Sequence, residues 1–532
     1  MKKVKFATVI LICVCYLFAC ENADKNIPSE SNPTDLLDIS IESSDSVLVE
    51  VFNWAIEKAR FYVQTNKIGR IDVWENGSGK DSIKFMPSYW AGYPGRSAFY
   101  SRDFCHQLIG AHLLGLEEEN FTMLKAFAAS ADENKKWFPL WAINFDGSPF
   151  QLDYRGDDDF VREVPAAFEL VEKAYQLYLW TGNVAYIKDE VLWNFYTKIV
   201  SDFIKLHDTQ LPNGVAEGTG KGIFAGAASY NEQRDAPLIE SGDGIASQYK
   251  AFLAFSKMAA QRKEMIMARE YQQKAIDLKT YFQEDWAIKN TNSYNRGYIA
   301  DGTPIDGWGK ENSWFMPMKG ITEGGSKRTL SYLDFIQEKL ESKEDIPDNV
   351  EALSYLPEMF FTHHQNERAW YWMQHIMKNL QQDHTYQKAT GRNGDYPEVS
   401  YVLLQNIVQD LLGLAPNAVD NSLSTFSHLP RAIEELGIQQ IKIGNSMVSV
   451  KHQADHTTSV HYQSGQGILS WEAKFSGHHA ALFVNGKKQP AQLMEQEGIL
   501  YTSCTLKLNP GEVLTVSTAR QLTKVSNDSL SL

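Results

Sequence analysis

The chain has little cysteine: five residues in all, three of them (Cys13, Cys15 and Cys20) within its opening segment. The other two, Cys105 and Cys504, fall in different candidate domains, so no disulfide framework and no CxxC metal pair is expected. His363-His364 and His478-His479 are adjacent pairs outside any HExxH frame, and no metal or cofactor is expected. A GxGxxG or Walker loop after a strand is missing, as is a GxSxG nucleophile elbow. Basic residues are outnumbered, 51 Lys and Arg against 66 Asp and Glu, for a net charge of −15. That balance argues against a nucleic-acid partner, because a phosphate-binding surface needs a basic excess. Beyond the opening segment, no apolar run is long enough to span a membrane. What the chain does have is aromatic residues: 13 Trp, 24 Tyr and 27 Phe. Aromatics build cores first, and they also offer flat faces on which sugar rings stack.

The opening segment reads as targeting sequence. Lys2, Lys3 and Lys5 precede a short apolar core, Val9 to Leu17, and "LFAC" ends at Cys20. Ala19-Cys20 resembles a bacterial lipoprotein signal, which implies lipidation of Cys20 and a lipid-anchored protein of the bacterial cell envelope. Residues 1–20 are thus the expected signal and 21–46, rich in Ser, Asn, Asp and Pro, a flexible tether. From 47 to about 425, apolar residues recur at helical spacing; Phe168, Val171, Tyr175 and Tyr178 share one face of a helix. Long polar loops separate these runs, as at 137–162 and 211–244, and loops of that length are usually functional. From about Ser422 the period changes to two, with Leu469, Trp471, Ala473 and Phe475 alternating and Asn485-Gly486 set for a hairpin turn. The expected architecture is mainly α: a large helical domain followed by a small antiparallel β-domain over 435–520.

With the other chemistries excluded, carboxylates in aromatic, Gly-rich loops remain, the equipment for glycoside hydrolysis. In "SYWAGYPGRSAFYSRDF", Arg96, Arg102 and Asp103 sit among Trp90 and Tyr93. "DYRGDDDFVREVP" sets Arg155 beside Asp157. "IESGDGIAS" carries Glu240 and Asp243 at a helix start, where Asp243 reads equally as an N-cap or as an acid held over substrate. "DHTYQKATGRNGDYPEVSY" offers Asp383, His384, Asp395 and Glu398 before the last large helix, which Pro397 opens.

Together these clusters resemble the (α/α)6-barrel, six-hairpin glycosidases, the superfamily of trehalases, glucoamylases and mannosylglycerate-hydrolase-like enzymes. "YPGRSAFYSRD" is similar to the trehalase-type PGGRF…YxWD signature, and "IESGDGIAS" to the ESGxD motif, shorter here by one residue. The resemblance implies an (α/α)6 barrel and a β-domain behind it. It also implies inverting, exo-acting chemistry on an oligosaccharide or glycan fragment, with Asp243 as general acid and Glu240 as its rival. The family's Glu-x-Tyr base is replaced by "HTY" from His384, which leaves Asp395 or Glu398 as base, or Asp383 beside the lost position, or a chain that binds glycan without cleaving it. Arg96, Arg102, Asp103, Arg155, Asp157 and His384 would bind sugar hydroxyls or a carboxylate. Trp90, Tyr93, Trp137 and Trp308 would stack. A helical-toroid polysaccharide lyase is the other chemical alternative, enlisting His363, Asn366 and Arg368.

Overall fold

The helical periodicity resolves into six hairpins in the computed structural model, which describes residues 37–73, 79–232, 236–347, 349–384, 391–496 and 498–520. The expected signal, the expected lipidation site Cys20 and the first part of the expected tether lie outside the described residues. The ring helices are α1 (Ser46–Phe61), α2 (Ser101–Leu113), α3 (Glu117–Ser130), α4 (Val164–Thr181), α5 (Glu190–Lys198), α6 (Gly242–Gln261) and α7 (Met265–Tyr281). They continue as α8 (Glu311–Met318), α9 (Lys327–Glu341), α10 (Leu356–Thr362), α11 (Asn366–Asn379) and α12 (Pro397–Gln405), the last extended by a π-helical segment to Leu411.

Even-numbered helices form a closed inner ring: α2 packs on α4, α4 on α6, α6 on α8, α8 on α10, α10 on the extension of α12, and α12 on α2. Their sequences explain the position. In α2 every residue but Arg102 is buried, and α6 and α12 are buried nearly all round. Odd-numbered helices carry a single apolar stripe, as in α11, where Ala369, Trp370, Met373, Ile376 and Met377 face inward. An (α/α)6 barrel follows, as the sequence led us to expect. Glycines let inner helices approach closely: a Cβ on Gly110 of α2 would lie 2.1 Å from the Tyr401 carbonyl oxygen of α12, and one on Gly242 of α6 would lie 2.1 Å from that of Asn312 in α8.

The β-region departs from expectation in three ways. It starts at Leu414–Asn417 rather than at 435, and its five-stranded sheet contains a parallel pair, Ser422–Phe426 with Leu469–Ser476. The third departure is at the other end of the chain. Ser40–Ser43, assigned above to a flexible tether, is a strand (β1) paired antiparallel with Glu435–Ile443 at the edge of the seven-stranded sheet. Its Ile41 is buried, and the Ser43 hydroxyl donates to the Glu435 carbonyl, so local polarity is overridden by pairing. The expected Asn485-Gly486 turn is present, with φ of 47° and 76°, the left-handed pair a tight hairpin requires.

Gly110→Ala should overpack the α2–α12 contact and destabilise the protein by about 1–3 kcal/mol. A denaturant melt unchanged by that substitution would show that the two helices can separate without cost.

Candidate active site

Inner helices begin on one side of the ring, and the loops feeding them enclose a pocket of about 370 Å³. Its wall takes Arg102 and Asp103 from the first turn of α2 and Lys310 and Glu311 from the start of α8. Glu351 and Tyr355 come from the approach to α10, and Tyr396 and Glu398 from the start of α12. Tyr230, Asn231 and Glu232 come from the loop before α6, and Tyr93, Arg96, Tyr100 and Trp141 complete the rim.

Arg102 organises the floor. Its guanidinium pairs with Glu232 at 3.1 Å and Glu163 at 3.5 Å, donates to the Tyr230 carbonyl at 3.2 Å, and lies over the Tyr230 ring. Glu163, the residue before α4, is fully buried and accepts from the Trp141 indole at 2.9 Å. Burial, opposed by Arg102, pushes its carboxyl up to about 8. Across the floor, the Tyr396 hydroxyl donates to Asp103 at 3.0 Å and the Tyr355 hydroxyl donates to Glu398. Burial, then the nearby Asp103 charge, hold Glu398 well above the usual carboxylate range, while the Tyr355 bond pulls the other way. Glu311 is raised to about 7, chiefly by burial. Glu232 stays half-buried beside Arg102, and Glu351 is held by His384 at 3.1 Å and by Asn349. One pocket therefore holds carboxyls of both kinds, buried ones favouring the proton and others held against cationic or hydrogen-bonding partners.

Of the residues singled out in the sequence, Arg96, Arg102, Asp103, Tyr93 and Glu398 line this pocket and the rest do not. Asp243 is neither an N-cap nor a pocket wall. Ser241 caps α6, accepting from Gly244 N at 3.1 Å, while Asp243 lies buried behind the wall. There it accepts from Ser229 Oγ at 3.0 Å and Tyr230 N at 2.7 Å, and burial raises it to about 6. Glu240 points elsewhere, buried and bonded to Asn213 at 2.9 Å, because it sits on a short strand whose next residue turns into the helix. Asp395 is drawn outward by Lys58 at 2.7 Å, which holds its carboxyl below the usual range. Arg155 is exposed over Phe224, and Asp157 takes Tyr154 and Lys135 at a separate cleft. Trp90 is turned to the Arg96 carbonyl, Trp308 to that of Asp345, and Trp137 lies against Lys198. His384 acts from behind the wall, on Glu351 and stacked against Tyr396. His363 bonds the Pro317 carbonyl and Arg368 pairs with Asp334, so the lyase set is not assembled at this pocket. Glu163, Glu232, Glu311 and Glu351 were missed because each looked like an ordinary helix-start or loop acid. Their shared position ahead of inner helices was the available signal.

Below the floor the barrel interior is ionic. Lys319, at the end of α8, is 1% exposed and pairs with Glu169 and Glu172 of α4, the latter at 2.6 Å. Tyr230 OH and His106 also reach Glu169, at 2.7 and 3.2 Å.

No family model matches the chain, and no curated protein matches it. Among solved structures it is similar to the α-L-rhamnosidase of Dictyoglumus thermophilum, at 12% identity and TM-score 0.58, covering 91% of this chain and 51% of that one. An α-L-rhamnosidase of Streptomyces avermitilis complexed with L-rhamnose gives 10% identity and TM-score 0.56, covering 91% and 43%. A kojibiose phosphorylase from the human microbiome gives 10% and 0.51, covering 89% and 63%. The chain thus spans about half the length of the rhamnosidases it matches. At these identities the likeness is one of fold, the (α/α)6 barrel with an associated β-region.

Buried carboxyls with raised pKa values have a consequence for stability. Glu163 and Glu240 at about 8 and Asp243 at about 6 keep protons that the unfolded chain releases near its ordinary values. Native protein then binds more protons than unfolded protein over that interval, so stability should fall as pH rises from about 5 to about 8. Thermal melts across that range should decline, and Glu240→Gln should flatten the decline; an equal slope in the variant would show that Glu240 is already ionised in the fold.

Proposed function

We propose that this chain is a glycoside hydrolase acting at the pocket on the N-terminal side of the inner ring. The observation that carries the reading is a pair of carboxyls lining one pocket, Glu398 buried and Glu232 paired with Arg102. Glu398 opens α12, and Glu232 comes from the loop before α6 and pairs with Arg102 of α2. Glu398, kept protonated by burial, donates its proton to the glycosidic oxygen while Tyr355 holds its other oxygen. Glu232, paired with Arg102 at 3.1 Å, accepts a proton from water attacking the opposite face of the sugar. That division gives inversion at the anomeric carbon, and a half-enclosed pocket rather than a through-groove favours removal of a terminal unit. Rhamnose-bound and other glycosidase relatives of the fold support a sugar substrate. Asp243, the acid proposed from sequence, becomes a support for Tyr230 in this scheme. On the sequence of its first residues, we place the protein in the bacterial envelope, anchored through lipid on Cys20.

Glu398→Gln and Glu232→Gln should each lower kcat by about 10²–10⁴-fold with glycan binding retained. In the parent enzyme, activity should be lost at high pH as Glu398 gives up its proton. Proton NMR of the first-formed product should show the anomer opposite to the substrate's. Unchanged turnover in both variants, or retention of configuration, would refute the assignment.

A further inference from the structure

The pocket holds three cationic side chains, and they are not equivalent. Arg102 is taken up by Glu232 and Glu163, and Arg96 by the Tyr100 hydroxyl at 2.6 Å with Asp153 at 3.9 Å. Lys310 lines the same pocket and, among the described residues, makes no ion pair within 4.0 Å. Its backbone is unusual for lysine, with φ 51° and ψ −117° at the N-cap of α8. The turn is fixed on both sides. Asn231, itself a pocket residue, donates to the Gly309 carbonyl at 2.9 Å, and Gly309 N donates to Ser313 Oγ at 2.9 Å. The Lys310 carbonyl receives Ser313 N and Trp314 N, and only glycine fits at 309, where a Cβ would meet Asn312 Oδ1 at 1.7 Å. A strained, pinned turn thus sets Lys310 in the wall of a cavity, in a protein whose net charge is −15. An unpaired cation in a partly enclosed site attracts an anion far more strongly than the same group on an open surface.

We propose that Lys310 reads a negative charge on the substrate, so that the sugar unit taken by this pocket is anionic, a uronate or a sulfated sugar. This rests on the glycosidase reading for its setting but not for its test. Asn231 and the Gly309 turn set Lys310, and so the charge it reads, on the α8 side of the pocket, while the valence of Arg102 is already met by glutamates. The carboxyl next to Lys310, Glu311, is raised to about 7 by burial, so near neutral pH it only partly offsets the ammonium.

Binding of glucuronate, galacturonate and glucose 6-sulfate should be compared by calorimetry with that of glucose and galactose. Aryl glycosides of the same sugars should be compared for turnover. The anionic members should bind at least about tenfold more tightly, and whether the carboxylate or the sulfate is preferred identifies the natural charge. Lys310→Gln should remove that preference and Lys310→Arg should keep most of it, with thermal melts confirming that both variants fold. Should Lys310→Gln unfold, the comparison in the parent protein and in Lys310→Arg still decides. Equal binding of neutral and anionic sugars, or a preference that survives Lys310→Gln, overturns the proposal. Turnover of neutral glycosides alone overturns it while leaving the hydrolase reading intact. Tight uronate binding without turnover of any glycoside sustains it and overturns the hydrolase reading instead.

Discussion

An ammonium group buried inside the barrel governs much of what surrounds it. Lys319 carries its charge at 1% exposure, and burial alone would strip the proton from it; Glu169 and Glu172 reverse that tendency. The pair joins α8 to α4, helices that are not neighbours in the ring, so it crosses the interior instead of reinforcing a side-by-side contact. Removing one partner of such a pair typically costs about 3–5 kcal/mol, because the charge left behind has no water. Tyr230 shares Glu169 through its hydroxyl, and through its backbone it is held by Asp243. The pocket floor is therefore suspended from the same ionic core that spans the barrel.

Above that core, the desolvation that penalises a charge becomes chemically useful. Glu163, Glu311 and Glu398 are raised by burial, yet Arg102 lies within reach of Glu163 and Glu232 and keeps the floor from becoming merely apolar. A hydrolase needs one carboxyl that holds its proton and another that has lost it. Here Glu398 and Glu232 differ in depth and in partner, a tyrosine for one and the arginine for the other, not in residue type.

This division between residue type and environment also explains what could be read from the sequence. Periodicity exposed the helical domain, because inner helices such as α2 and α6 must be apolar on nearly every face and outer ones on a stripe; the barrel itself was expected only from the resemblance of the motifs. Arg102 and Asp103 were legible because an arginine and an aspartate among aromatics at a helix start leave few bland interpretations. Asp243 misled for a local reason: Ser241 two positions earlier supplies the cap, which lets the aspartate turn inward to Tyr230. Asp395 misled because Lys58, distant in sequence, draws it out. Glu232 and Glu311 carry no local mark at all, since their significance comes from the ring closing and bringing helix starts together.

Strand β1 belongs to the same class of long-range fact. Ser43 and Glu435, bonded across the sheet, are 392 residues apart in the chain. Joining two points of an unfolded chain at that separation would cost about 5 kcal/mol of loop-closure entropy, since the cost grows only with the logarithm of length. Once the barrel has formed, that freedom has already been lost, and four residues suffice to dock. The early strand then works as a latch that can close only after the last domain has been made. By closing, it covers the backbone of Glu435–Ile443, an edge that would otherwise be open to pairing with another chain and to aggregation.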